Sequence, residues 1–182
     1  QLLERQNDWL AGLPHKRSSK EIGWSSCTIP TTFVGPERGG LSLTDAQLRL
    51  QIAVIADGHF PNKGSRAIVR VKKPRKITRL KRLLAEAGVD YHLHVPTTGT
   101  AVGFEVFAFP APMRVKEFDG RFYSCSRHQL AIVRDEVMHW DGSVSDTKTG
   151  ERFSTLVGAS ADFVQYAFAS AGRVARVMGS ER

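Results

Sequence analysis

Leu50-Gln-Ile-Ala-Val-Ile-Ala-Asp57-Gly58 and Arg134-Asp-Glu-Val-Met-His-Trp-Asp141-Gly142 share one pattern: a run with helical spacing that ends in an aspartate and a glycine. The aspartates lie 84 residues apart. The same offset separates Ser42 from Ser126, ahead of the two helices, and Gly88 from Gly172, beyond them. Three landmarks at one spacing indicate an internal duplication whose unit is a half-domain. Ser42 is placed to start the first helix, with Asp45 three residues on; Thr44 with Gln47 is an alternative capping box, and Ser126 with Gln129 is the box of the second copy. Leu48, Ile52 and Ile55 fall on one face of the first helix, beside Ala53 and Ala56; Leu130, Val133, Val137 and Trp140 line the second. Gly58 and Gly142 suit the left-handed residue that ends a helix. An aspartate in the last turn faces the negative end of the helix dipole, at a cost of roughly 0.3–1 kcal/mol. Its recurrence at the repeat position predicts a positive occupant, and a hard divalent cation held by carboxylate oxygens is the simplest one. Asp-Gly is also a common turn pair, which would account for either copy alone but not for two in register.

These stretches resemble the paired motif of the LAGLIDADG homing endonucleases. The first copy keeps the Ala-Asp-Gly ending and the second keeps Trp-Asp-Gly; each is followed by strand, basic or polar turn, helix and glycine. The resemblance covers roughly residues 42–178. It implies an α+β fold of two pseudo-symmetric αββαββ half-domains, with the motif helices paired at the centre and antiparallel sheets forming a saddle on duplex DNA. The divisions that follow are an N-terminal arm at 1–41, a first half at 42–118 and a second half at 119–182. The resemblance also implies one metal-binding aspartate from each half, Asp57 and Asp141, with Gly58 and Gly142 beside them, and Mg²⁺ or Mn²⁺ as the cofactor. The family places a basic or amide residue of the active site where the first strand ends. That points to Lys73, with Lys72 next. By register the second copy has Leu156 and Val157 there, so the two half-sites are expected to be chemically unequal.

The charge is concentrated. Ten of the twenty residues from Lys63 to Arg82 are Lys or Arg, and no acid occurs between Gly58 and Ala85. Of 26 basic and 18 acidic residues in the chain, only 16 basic ones lie outside this segment, so it accounts for the net charge of +8. A localised basic stripe is the footprint of a phosphate-backbone partner. The stretch lacks the aromatic anchors of a membrane-surface helix. Residues 66–72 alternate as a strand, with Arg66, Arg70 and Lys72 on one face and Ala67, Val69 and Val71 on the other. Pro74 then opens a helix that Gly88 stops, with Ile77, Leu80 and Leu84 inward and Arg75, Lys76, Arg79 and Arg82 outward. Lys72-Lys73-Pro74-Arg75-Lys76 also has the look of a nuclear-localisation run, although its residues already have a structural place.

Residues 89–95 and 102–109 read as a hairpin around Thr97-Thr98-Gly99, with His92 and His94 on one strand face. DNA contact suits these histidines better than a metal site, which would need a third ligand. The predicted DNA-binding set is therefore Arg66, Arg70, Lys72, Arg75, Lys76, His92 and His94. Phe118 and Phe122 are expected to pack under the linker that leads to the second copy. There, Val144 to Leu156 reads as a hairpin turning at Lys148-Thr149-Gly150, Ser160 as the next helix cap, and Arg173 to Val177 as the start of a strand. By the repeat, the counterpart of strand 102–109 would fall at 186–193, past Arg182, so the second half is expected to be shortened.

The rest of the chain is ordinary for a globular protein: 41% apolar and 24% charged, with no apolar run near the length of about 18 residues that a membrane span needs. Cys27 and Cys125 lack CxxC spacing and read as reduced thiols. The arm offers Trp9, Trp24 and Phe33 for packing and a small basic cluster at His15, Lys16 and Arg17. An intracellular, cytoplasmic monomer is expected, of bacterial or phage origin. Neither an N-terminal Cys or Ser nucleophile nor a C-terminal His-Asn pair is present, so a complete splicing domain is not expected, although the chain could belong to a larger intein polypeptide. The leading expectation is a Mg²⁺-dependent endonuclease cutting a long double-stranded site. The alternatives are a non-cleaving DNA-binding protein of the same fold and an RNA-splicing maturase. A glycosidase would share the paired carboxylates, but the basic stripe argues against a neutral sugar.

Overall fold

The computed structural model describes residues 37–61, 66–94, 105–144 and 150–177. The arm with Trp9, His15, Lys16, Arg17, Trp24, Cys27 and Phe33 lies outside the described residues, as do the turns expected at Thr97-Thr98-Gly99 and Lys148-Thr149-Gly150. The first half runs α1 (Asp45–Asp57), β1 (Gly58–His59), β2 (Arg66–Val71), α2 (Pro74–Glu86), β3 (His92–His94) and β4 (Glu105–Pro110). A linker with a 3₁₀ turn at Gly120–Ser124 leads to α3 (Arg127–Trp140), β5 (Gly142–Val144), β6 (Glu151–Phe153) and α4 (Gly158–Ser170). The fold is α+β: helices pack with one four-stranded antiparallel sheet, ordered β1-β2-β4-β3, and a second sheet of two strands, β5-β6.

The duplication holds to the residue. Gly58 pairs with Val69 in the first hairpin, and Gly142 pairs with Phe153 in the second, both at the 84-residue offset. Helices α2 and α4 are each 13 residues long and begin at the same offset. Both end on a left-handed glycine, Gly88 (φ 61°) and Gly172 (φ 74°). Beyond them the Val89 amide donates to Leu84 O and the Arg173 amide to Phe168 O, each at 3.0 Å, which is the Schellman closure at equivalent positions.

The motif helices differ at their starts. Thr44, not Ser42, caps α1, in a capping box with Gln47. Ser126 and Gln129 form the box of α3, which is one residue longer than α1. Gly58 and Gly142 are not left-handed; Gly58 is extended at φ −89°. They are needed for space. A Cβ on Gly58 would lie 2.7 Å from Val54 O, and one on Gly142 would lie 2.4 Å from Met138 Cα, because the chain doubles back into a strand against the helix it has just left.

Helices α1 and α3 pack together at the centre. Leu48, Ile52 and Ala53 from α1 and Leu130, Val133, Val137 and Trp140 from α3 are buried, while Ile55 and Ala56 are only partly so. Leu50 and Val54 are buried as well, so α1 is apolar on two sides, as befits a helix enclosed by neighbours. The sheet side of the core is built by Ala67, Val69 and Val71, the predicted inward face of β2. As expected, Phe118 and Phe122 lie under the linker, edge to face at 5.0 Å and both against Phe163 of α4. Cys125 is a buried free thiol whose pKa burial pushes up to about 12.

Two expectations for the second half are corrected. Ser160 does not cap α4; the N-cap is Val157, and Ser160 is buried within the first turn, where its hydroxyl accepts the Phe118 amide at 3.1 Å. Residues 173–177 form no strand.

Candidate nucleic-acid interface and carboxylate centre

The two motif helices run side by side in the same direction, tied by charge along their length. His128 Nε2 meets Asp45 Oδ2 at 2.7 Å near the N-terminal ends. Midway, Arg49 of α1 donates to Glu136 of α3 at 2.8 Å. At the C-terminal ends Asp57 and Asp141 come together, and one ammonium serves both: Lys76 Nζ lies 2.5 Å from Asp57 Oδ2 and 3.7 Å from Asp141 Oδ1. A second lysine stands close. Lys116, from the linker, donates to Val54 O at 2.8 Å and Ile55 O at 2.5 Å, capping the negative end of α1. Burial pushes the Asp141 carboxyl above its usual range, Asp57 adds to the push, and Lys76 and Lys116 pull against it. Burial lowers the Lys116 pKa, opposed by the same two aspartates.

Lys76 is therefore not an outward DNA-contacting residue. It is 8% exposed, and Arg79 also turns inward, onto Glu136 at 3.1 Å from Nε. Part of the α2 face that the sequence assigns to solvent, Lys76 and Arg79, turns instead toward the end of α3, while Arg75 and Arg82 stay exposed. Arg75 reaches the same place, donating to His139 O. The reason is electrostatic: α3 ends in Glu136, the free carbonyls of its last turn and Asp141, and α2 carries cations spaced to meet all three. Lys73 is the exposed N-cap residue of α2, and Lys72 is exposed beside it; the lysine at the carboxylates is Lys76. The repeat makes the centre one-sided, since the residue equivalent to Lys76 is Ser160.

A divalent cation does not fit this arrangement. The space between the carboxylates holds an ammonium, and among the described residues no three His, Cys, Asp or Glu side chains gather as a ligand set. Gly58 and Gly142 are required by the close turn onto the preceding helix. Beside Asp141 opens a cleft of about 450 Å³, walled by Ile52, Ala56, Trp140 and Phe153 and by Lys116.

The other charged feature is the open face of the four-stranded sheet. On β2, Arg66 and Arg70 are exposed and Ile68 half-buried, alternating with the three core residues; Lys72 continues the series past the strand end. His92 pairs with Ala108, which pairs with Ile68; His94 pairs with Val106, which pairs with Arg70. Residues directly opposite in an antiparallel sheet share a face. The predicted histidines and arginines thus lie on one surface. His59, opposite Ile68, joins them. In the second hairpin the residue equivalent to Ile68 is Arg152, exposed and opposite Ser143. Reading the residues singly misses His59 and Arg152; strand pairing with Ile68 finds the first and the 84-residue register the second.

This α+β arrangement of helices and antiparallel sheets has counterparts among solved structures. No family model matches the chain, and no curated protein does. Among solved structures, full-length DUF199/WhiA from Thermatoga maritima is similar over 68% of this chain at a TM-score of 0.50 and 8% identity. A structure of the N-terminal LAGLIDADG domain of DUF199/WhiA aligns over the same share, with a TM-score of 0.48 and 7% identity. The chain spans 43% of the first of these and 63% of the second. At such identities the likeness concerns the fold. Among the described residues, no helix is long and apolar enough to cross a membrane.

Proposed function

We propose that this chain is a double-stranded DNA-binding protein of LAGLIDADG fold that docks the open face of its four-stranded sheet on the duplex and does not cleave it. The observation that carries this reading is the shared face of Arg66, Arg70, Lys72, His59, His92 and His94. Arg66 and Arg70 are four strand residues apart, about 13 Å, close to the width of a major groove. Cations on such a face release counterions from the phosphates, which favours any duplex, and side chains between them can reach base edges.

The endonuclease reading requires a divalent metal between Asp57 and Asp141, and the position of Lys76 speaks against it. A supercoiled plasmid separates the two. The protein should retard it in a gel equally well in EDTA and in Mg²⁺, and the plasmid should remain supercoiled in Mg²⁺ or Mn²⁺. Metal-dependent linearisation that Asp57→Asn abolishes would establish the endonuclease instead.

A further inference from the structure

We propose that Lys76 is the resident counter-cation of the Asp57–Asp141 pair, built into the fold in place of a divalent metal and excluding one from it. The inference deepens the non-cleaving reading, on which it rests, by giving it a chemical cause.

Four observations support it. The ammonium sits between the carboxylates of the two halves, at 2.5 and 3.7 Å, with only 10% of its side chain exposed. A lysine that merely strayed into an empty acidic site would be free to leave. This one is carried by a helix pinned on either side of it: Arg75 holds His139 O and Arg79 holds Glu136. Its ammonium is also seated against an aromatic wall, with Nζ 5.9 Å from the centre of the buried Trp140 ring. Finally, Lys116 brings a second positive charge from the linker to the C-terminal carbonyls of α1, the helix end that carries Asp57. Two carboxylates that share the Lys76 ammonium, with the Lys116 charge at the adjoining helix end, have less charge to offer a cation. A metal entering here would have to displace Lys76 from both carboxylates, breaking a largely buried ion pair.

The test is Mn²⁺ titration of the whole chain without DNA, followed by electron paramagnetic resonance and by thermal melting. Wild type should show no saturable site, and its melting temperature should not rise with Mn²⁺. Lys76→Met keeps the apolar stem and removes the charge. It should bind one Mn²⁺ at least about tenfold more tightly than wild type, melt higher with Mn²⁺ than without, and lose both properties when Asp57→Asn is added. Lys76→Arg, which keeps a cation, should behave like wild type. Saturable Mn²⁺ binding by wild type that Asp57→Asn removes would overturn the proposal, and that measurement does not depend on Lys76→Met folding. Failure of duplex binding would sink the DNA-binding reading and leave these titrations as they stand.

Discussion

Glu136 has no exposed surface and is met by a donor from each of three helices: Arg49 of α1, Arg79 of α2 and Trp140 of α3, whose indole donates at 2.9 Å. Burial works against its charge, but the hydrogen bonds from Arg79 and Arg49 prevail and hold its pKa below the ordinary 4.5. A carboxylate held low in the folded state adds stability that is fully present above about pH 4.5 and is lost as the pH falls through its folded value. Glu136→Gln should therefore lower stability at pH 7 by about 3 kcal/mol, because two guanidinium groups lose a buried partner. It should also flatten the acid side of the stability profile, read by urea denaturation between about pH 3 and 7. An unchanged acid limb would show that Glu136 does not hold this junction. The sequence marks Glu136 only as one more charge in a helix, since the partners that make it special lie 57 and 87 residues away. Lys76 was hidden for the same reason: helical periodicity places it on a polar face, and nothing local says that this face meets α3. The aspartates were legible because a repeated unfavourable placement is visible without knowing the fold.

At the scale of elements, spacing carried most of the information. The strand at 66–71, the helix from Pro74 to the stop at Gly88 and the two predicted hairpins, at 89–109 and 144–156, follow from alternation, proline and glycine. What spacing could not settle was which of two nearby hydroxyls caps a helix. Thr44 prevails over Ser42 because Gln47 stands three residues on and closes the box. Ser160 was claimed from capping by the buried interior, where it satisfies the linker amide of Phe118. The Asp-Gly turns suggested a left-handed glycine, whereas the requirement is room against the preceding helical turn. That difference is testable. Gly142→Ala should destabilise the protein by about 2 kcal/mol, since its Cβ would meet the backbone of Met138. Gly158→Ala, at the start of α4 with open space around it, should be neutral or stabilising by up to about 1 kcal/mol. Chemical denaturation of the two variants should rank them on opposite sides of wild type; a harmless Gly142→Ala would refute the steric explanation.

For the whole molecule, the duplication produces a pseudo-symmetric pair of helices but an asymmetric distribution of charge. The first half supplies both the basic sheet face and the lysine that closes the carboxylate centre. The second contributes Arg152 on its hairpin and Ser160 where Lys76 would be. DNA should therefore be held mainly through the first half. Arg152→Ala should weaken duplex binding less than Arg70→Ala does, as read by fluorescence anisotropy; the reverse order would move the main docking surface to the second hairpin. The most direct test of a basic sheet face that holds DNA without metal is the salt dependence of binding to a duplex of about three helical turns, roughly 30 base pairs. It would be measured in EDTA, for wild type and for Arg66→Ala/Arg70→Ala/Lys72→Ala. Wild type should bind without metal, and the log–log slope should be shallower by about 2 to 3 in the triple variant, an increment of about 0.9 for each phosphate no longer neutralised. Equal slopes for the two proteins, or binding that appears only with a divalent cation, would contradict this.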